Sequence, residues 1–341
     1  MAVDTPHAKW RREHGVIDAH THLDFDHVDD AIRYMEQNGL DMLVDISPWN
    51  VGERFDAMME LVETYPDRFA AYSGIDFDGF GEDGWLEREI ERIQTAVERG
   101  AVGIKLWKHL GLVHMDPDGN VFPVDDDRLA PLFELAGELD TVVAFHIADP
   151  KAFFEPLTPE NERWTDLRKN PDWWFGDRER YPYDWWQLIR QLERVIERHP
   201  ETTFLGAHWG CAAEEVGYVA DVMRENPNYV VDVSARLPEI GRHRPDLVHD
   251  LFIEFQDRII FGTDLWWEGE ALHLGAPQDF EPEAADVEEF YDAHWRYFET
   301  AAEGIAHPTP IQGDWTIDAI DLPRAVLEKF YGENARRYLG L

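Results

Sequence analysis

Eight times along this chain a short apolar run rich in β-branched residues is followed by an amphipathic helical stretch. The strand-like runs are Val16–Ala19, Met42–Ile46, Phe69–Ile75, Val102–Trp107, Thr141–Phe145, Thr203–Ala207, Tyr229–Val233 and Arg258–Gly262. The helical patterns are Val28–Asn38, Arg54–Tyr65, Gly84–Arg99, Asp127–Leu139, Asp184–Arg198, Ala213–Asn226, Pro245–Gln256 and Pro323–Leu339. Parallel strands need crossover connections, and a helix after every strand supplies them. Eight such units in series predict an α/β fold, a closed (β/α)8 barrel. No G-x-G-x-x-G stands between a strand and a helix, which counts against an open dinucleotide-binding sheet. The length of 341 residues exceeds the ~250 of a minimal barrel. The excess falls in two insertions, about 147–183 after the fifth strand and 265–322 after the eighth. Both leave from the strand ends where barrel enzymes place their chemistry. With no repeat and no linker, residues 1–341 read as one domain.

Charge narrows the partners. The chain carries 70 Asp+Glu against 31 Lys+Arg, a formal net charge of −39, and only six of the basic residues are lysine. Nucleic acid and anionic membranes are therefore poor partners, and a small-molecule substrate is expected. The acids are dispersed, and −39 far exceeds the magnitude of about 2–8 suited to a small soluble domain. Scarce lysine with abundant acid is the composition of halophilic proteins. At about 1 M salt the Debye length is roughly 3 Å, so surface repulsion is screened. The thermal midpoint is expected to rise between dilute buffer and molar KCl; a flat or falling midpoint would contradict a high-salt adaptation. No run of about 18 apolar residues spans a membrane. The opening MAVDTPHAKWRREHG lacks an apolar signal core, and Cys211 is the lone cysteine, so a cytoplasmic location is expected.

The chemistry-bearing residues stand at the ends of the strand runs. VIDAHTHLD places His20 and His22 two residues apart, on the same side of a strand. TVVAFHIAD ends the fifth strand in His146, TTFLGAHWG ends the sixth in His208, and RIIFGTD ends the eighth in Asp264. In a closed barrel the eighth strand lies beside the first, so Asp264 approaches His20 and His22. Imidazoles and a carboxylate converging there suit a borderline divalent ion. Each residue alone has a plainer reading: a strand-end His often packs by hydrogen bonding, and an Asp can cap a helix. Five on the proper strands favour a site. No G-x-S-x-G elbow or P-loop competes with this reading.

With these motifs in view, the sequence resembles the metal-dependent amidohydrolase superfamily. It is similar to the branch that includes aminocarboxymuconate-semialdehyde decarboxylase, from Val16 to about Leu339. The resemblance implies that His20, His22, His146 and Asp264 bind one divalent metal, most commonly zinc, with manganese or iron as alternatives. It implies that His208 is the acid/base group and that Asp264 accepts a proton from the attacking water. The expected activity is metal-dependent hydrolysis of a small, carboxylate-bearing substrate. The alternatives are metal-dependent decarboxylation, a lyase reaction, at the same site, and a non-catalytic metal-binding barrel. A homodimer is a family-level expectation.

Other residues stay open between readings. Lys105, in VGIKLWKHLGL, binds substrate, pairs with an acidic group or, carboxylated, bridges two metals as in binuclear relatives. Arg163 and Arg236 are candidates for gripping a substrate carboxylate, since a guanidinium binds one bidentately; the plainer reading is ion pairing with the abundant acids. Asp149 either orients a ligand or caps a turn. Trp107, Trp209 and Trp266 either wall a pocket or pack the barrel top.

Overall fold

The structure, a computed structural model, describes residues 5–278 and 280–341. All eight expected strands are present, most within a residue or two of their predicted bounds. They are β1 (Ile17–His22), β2 (Met42–Asp45), β3 (Phe69–Ala71), β4 (Ser73–Gly74), β5 (Gly103–Leu106), β6 (Val142–Phe145), β7 (Phe204–Gly206), β8 (Tyr229–Asp232) and β9 (Ile259–Ile260). The third predicted run is divided at Tyr72 into β3 and β4. Beyond them, β10 (Leu265–Glu268) and β11 (Ala271–Leu274) form a hairpin. The second insertion also holds the 16-residue helix Ala284–Glu299.

The helices form where their sequences dictate. Val28–Asn38 buries Ala31, Tyr34, Met35 and Asn38, an i, i+3, i+4, i+7 stripe, and stops at Gly39 in the left-handed conformation. Trp185–Arg198 starts in a capping box between Asp184 and Gln187 and buries Trp185, Leu188, Leu192 and Val195. The last predicted helix is interrupted by a π turn at Lys329–Glu333, between Arg324–Glu328 and Asn334–Leu339. The Phe330 carbonyl there accepts the Phe261 N–H at 3.1 Å, and Asn334 Nδ2 donates to the Gln256 and Ile259 carbonyls. A local widening of the helix ties it to the end of β9.

The chain divides into two compact units. The first holds residues 5–47, 60–71 and 231–341. Its sheet runs β11-β10-β1-β2-β3, with β10, β2 and β3 each joining their neighbour in parallel. Within this unit β9 also lies against β1: the Ala19 N–H donates to the Phe261 carbonyl at 3.0 Å. Gly262 allows that approach, since a Cβ there would stand 2.6 Å from the Cβ of His20. The N-terminal helix Ala8–His14 is pinned by a buried ion pair, Arg11 Nε to Glu299 Oε1 at 2.8 Å. Arg11 also lies 4.1 Å from the Trp295 ring centroid, and Thr5 and Tyr331 donate to the same carboxylate.

The second unit holds residues 48–59 and 72–230. It carries the parallel run β4-β5-β6-β7. Register pairs Lys105 with Ala144 and Phe145 with Gly206, so His146 and His208 follow adjacent strand ends. The first insertion here contains short helical turns, Lys151–Phe154, Trp164–Leu167 and Pro171–Trp173. Among the described residues, no helix is long and apolar enough to cross a membrane.

Candidate metal centre

In the first unit, His20, His22 and Asp264 meet. All three offer ligand atoms within 4.8 Å of one another. His20 Nε2 lies 3.6 Å and His22 Nε2 3.3 Å from Asp264 Oδ1. Asp264 sits in the left-handed region at φ 62°, at the junction of β9 and β10, and its N–H donates to the His20 carbonyl at 2.8 Å. A non-glycine residue there is strained and persists because its surroundings over-determine it. Asp18 does much of that work. Buried on β1, it accepts from the Thr263 N–H, the Thr263 hydroxyl and the Tyr291 hydroxyl at 3.0, 2.6 and 2.7 Å. Burial pushes the Asp18 carboxyl up to about 7, against the lowering effect of those hydrogen bonds.

The outer nitrogens of both imidazoles are occupied. His20 Nδ1 lies 2.8 Å from Asp232 Oδ2 and 2.9 Å from Ser234 Oγ. Asp232 is a carboxylate and accepts, so His20 carries its proton on Nδ1. His22 Nδ1 lies 3.0 Å from Ser47 Oγ, and that hydroxyl donates to Asp45 Oδ2 at 3.1 Å. Its single proton committed, Ser47 accepts from His22 Nδ1–H. With Nδ1 the protonated nitrogen of each ring, Nε2 is the atom each ring can offer to a cation beside Asp264. That is the outer arrangement that fixes histidine ligands around a metal. The spacing fits as well: donors about 2.0–2.1 Å from a tetrahedral ion stand ~3.4 Å apart. The residues present therefore fit a divalent cation. Sequence reasoning missed Asp232, Ser234, Asp45 and Ser47. The rule that found Asp264 applies equally to Asp45 and Asp232, which end the apolar runs MLVD and YVVD.

The second unit brings His146 and His208 together, with His208 Nε2 3.2 Å from His146 Nδ1. His208 is buried and stands at φ 58° in a left-handed turn that runs on through Trp209, Gly210 and Cys211. The sixth strand therefore ends at Gly206, not at Ala207. Left-handed backbone costs roughly 1–2 kcal/mol per non-glycine residue. The turn closes over the Tyr229 hydroxyl, which leaves room for no Cβ at Gly206 or Gly210, where one would fall 2.1 and 2.2 Å from that oxygen. His146 Nε2 faces Asp149 Oδ1 at 3.5 Å, and Asp149 Oδ2 accepts from Lys108 Nζ at 2.7 Å. Burial lowers the His146 imidazolium to about 3, Lys108 and Lys105 act in the same direction, and Asp149 opposes them. Burial alone would raise Asp149; the Lys108 ammonium and the His146 ring outweigh it and hold the carboxyl well below its usual range.

The remaining candidates are placed as follows. Lys105 is buried on β5, near enough to His146 to add to its positive field. Arg163 is wholly buried at the start of Trp164–Leu167. Arg236 is buried at the start of the helix Leu237–Gly241, and its Nη1 donates to the Ala235 carbonyl at 2.9 Å. Trp266 is the register partner of His22 and stacks on His273 at 4.5 Å between centroids. Trp107 leans on His109 at 4.1 Å, whereas Trp209 is fully buried.

Imidazoles and carboxylates ending parallel strands, with their outer atoms tied down, are the makings of a metal-dependent α/β enzyme class. The chain belongs to the amidohydrolase family, whose model matches residues 17–341. That family is part of a metal-dependent enzyme superfamily. No curated protein matches the chain by sequence. Solved structures do match. An uncharacterised TIM-barrel protein from Bordetella bronchiseptica is 16% identical with a TM-score of 0.54, over 92% of this chain and 82% of that one. A dihydroxybenzoic acid decarboxylase from Polaromonas sp. JS666, with bound manganese and the inhibitor 2-nitroresorcinol, is 14% identical with a TM-score of 0.56, over 96% and 97%. A 4-oxalomesaconate hydratase from Rhodopseudomonas palustris is 16% identical with a TM-score of 0.56, over 95% of each chain. At these identities the likeness is one of fold, and the fold is the (β/α)8 barrel expected from the eight strand-helix units.

Proposed function

We propose that this chain is a metal-dependent hydrolase in which His20, His22, His146 and Asp264 hold one divalent cation, with zinc as the first choice. The observation that carries this reading is the convergence of His20 Nε2 and His22 Nε2 on Asp264 Oδ1, with both Nδ1 atoms held from the far side by Asp232 and Ser47. A cation held there would act as a Lewis acid and bring the pKa of a water from 15.7 to about 7. Asp264 accepts the proton that the attacking water loses. His208 hydrogen-bonds the substrate oxygen on which negative charge develops, then passes a proton to the leaving group, since an imidazole can both donate and accept one. Lys105, Arg163 and Arg236 are proposed to bind a carboxylate on the substrate. The acidic composition supports a high-salt cytoplasm as its setting.

A second reading has its own support. A manganese-bound decarboxylase shares the fold, and the same residues could hold a carboxylated substrate for loss of carbon dioxide. A substrate screen in 18O-water separates the two. Hydrolysis places one 18O atom in the product and releases no carbon dioxide; decarboxylation releases carbon dioxide. Bound metal with no turnover across a broad panel would favour the non-catalytic barrel.

A further inference from the structure

The pair Lys108–Asp149 takes no part in the proposed chemistry, yet it is built with care. Lys108 follows β5 by two residues, and Asp149 opens the first insertion. Their 2.7 Å contact is nearly enclosed, with side-chain exposures of 14% and 8%. Three aromatic rings surround the ammonium: Trp107, Trp173 and Phe175, at 5.7, 5.5 and 5.8 Å to their centroids. Two of these, Trp173 and Phe175, belong to the insertion. The backbone of Asp149 is anchored too, since its carbonyl accepts from Trp185 Nε1 at 3.2 Å. An ion pair this sheltered fixes its carboxylate in one orientation, and the second oxygen of that carboxylate faces His146 Nε2.

We infer that Asp149, held by Lys108 inside the aromatic cage, is a positioning residue that fixes His146 as the Nε2–H tautomer and so presents its Nδ1 lone pair beside His208. A carboxylate has only acceptors, and no acceptor oxygen among the described residues holds the other nitrogen of His146 as Asp232 and Ser47 hold those of His20 and His22, so the His146 proton sits on Nε2, toward Asp149. At 3.5 Å the contact is chiefly the attraction of the N–H dipole to a full negative charge. In the metal-free protein His146 Nδ1 is then the acceptor in its 3.2 Å contact with His208 Nε2, a hydrogen bond that a cation taken on that lone pair would replace. Ligand histidines are characteristically oriented through their second nitrogen, and loss of such a partner lowers metal affinity about 10–100-fold. The affinity consequence rests on the reading of His146 as a metal donor; the tautomer itself does not.

The geometry makes one isosteric substitution decisive. In Asp149→Asn the Lys108 ammonium, which can only donate, claims the amide oxygen. The amide NH2 then faces His146 Nε2, which must give up its proton, and the ring switches to Nδ1–H. Adding Lys108→Met removes that demand. The aromatic cage accommodates a thioether, the amide turns its oxygen to His146, and Nε2–H returns. Long-range 1H–15N spectra of histidine-labelled metal-free protein report the tautomer, with His146→Gln assigning the signal. Zinc affinity is measured on the same proteins by competition with a chromophoric chelator, and thermal midpoints verify folding. The expected results are Nε2–H in the wild type, Nδ1–H in Asp149→Asn with zinc affinity at least tenfold weaker, and recovery of both in the double variant. An Nε2–H tautomer in folded Asp149→Asn, or no recovery in the double variant, overturns the inference. A switched tautomer with unchanged zinc affinity upholds the positioning role and removes His146 from the donor set, which counts against the proposed function instead.

Discussion

Replacing His208 with asparagine is expected to lower kcat about 10²–10⁴-fold, the usual contribution of a positioned acid/base group, while the purified protein keeps its full metal content. The side chain is buried and stands on a left-handed turn shaped around the Tyr229 hydroxyl. Such strain is characteristic of functional positions. Asparagine is of similar reach, tolerates left-handed backbone better than most residues, and can still donate a hydrogen bond, but it cannot take up and release a proton at neutral pH. Turnover and metal content therefore separate the two roles open to this residue. Lost turnover with retained metal identifies the acid/base group. Lost metal would move His208 into the donor set, and full turnover would remove it from the chemistry.

The second large effect concerns stability. Glu299→Ala is expected to cost about 3–5 kcal/mol, because it leaves a buried guanidinium without its partner. Arg11 and Glu299 are almost wholly enclosed, with side-chain exposures of 4% and 0%. The hydroxyls of Thr5 and Tyr331 lose their acceptor at the same time. The desolvation of the pair is already a cost in the native protein, so Arg11→Met with Glu299→Leu should recover most of the loss. Urea denaturation of the single and double variants in molar KCl measures both. A single variant within 1 kcal/mol of wild type would show that the network does not hold the N-terminal helix.

Much of this architecture could be read from the sequence, for a physical reason. Parallel strands covered on both faces are continuous apolar runs, and the helices between them carry clear stripes, so elements such as Val28–Asn38 fall where the pattern puts them. The ligand candidates were legible because a polar residue directly after an apolar run, as in FHIAD or FGTD, breaks the pattern at a strand end. What holds those residues was less legible. Ser47 and Ser234 act through hydrogen bonds to residues whose nearness depends on register. The left-handed backbone of His208 and Asp264 follows from tertiary contacts, not from their own preferences. The Lys108–Asp149 pair joins residues 41 apart, and no periodicity links them. The hairpin β10–β11 and the helix Ala284–Glu299 were hidden inside an acidic, aromatic stretch that reads as a loop.

The proposed function requires residues from distant strand ends to hold one cation. Diffraction from crystals grown in high salt, with anomalous data collected across the zinc and manganese edges, tests it most directly. A single anomalous peak is expected about 2.0–2.2 Å from His20 Nε2, His22 Nε2 and a carboxylate oxygen of Asp264. Crystals from metal-supplemented protein with no peak at those atoms, or with either imidazole turned away from Asp264, would contradict it.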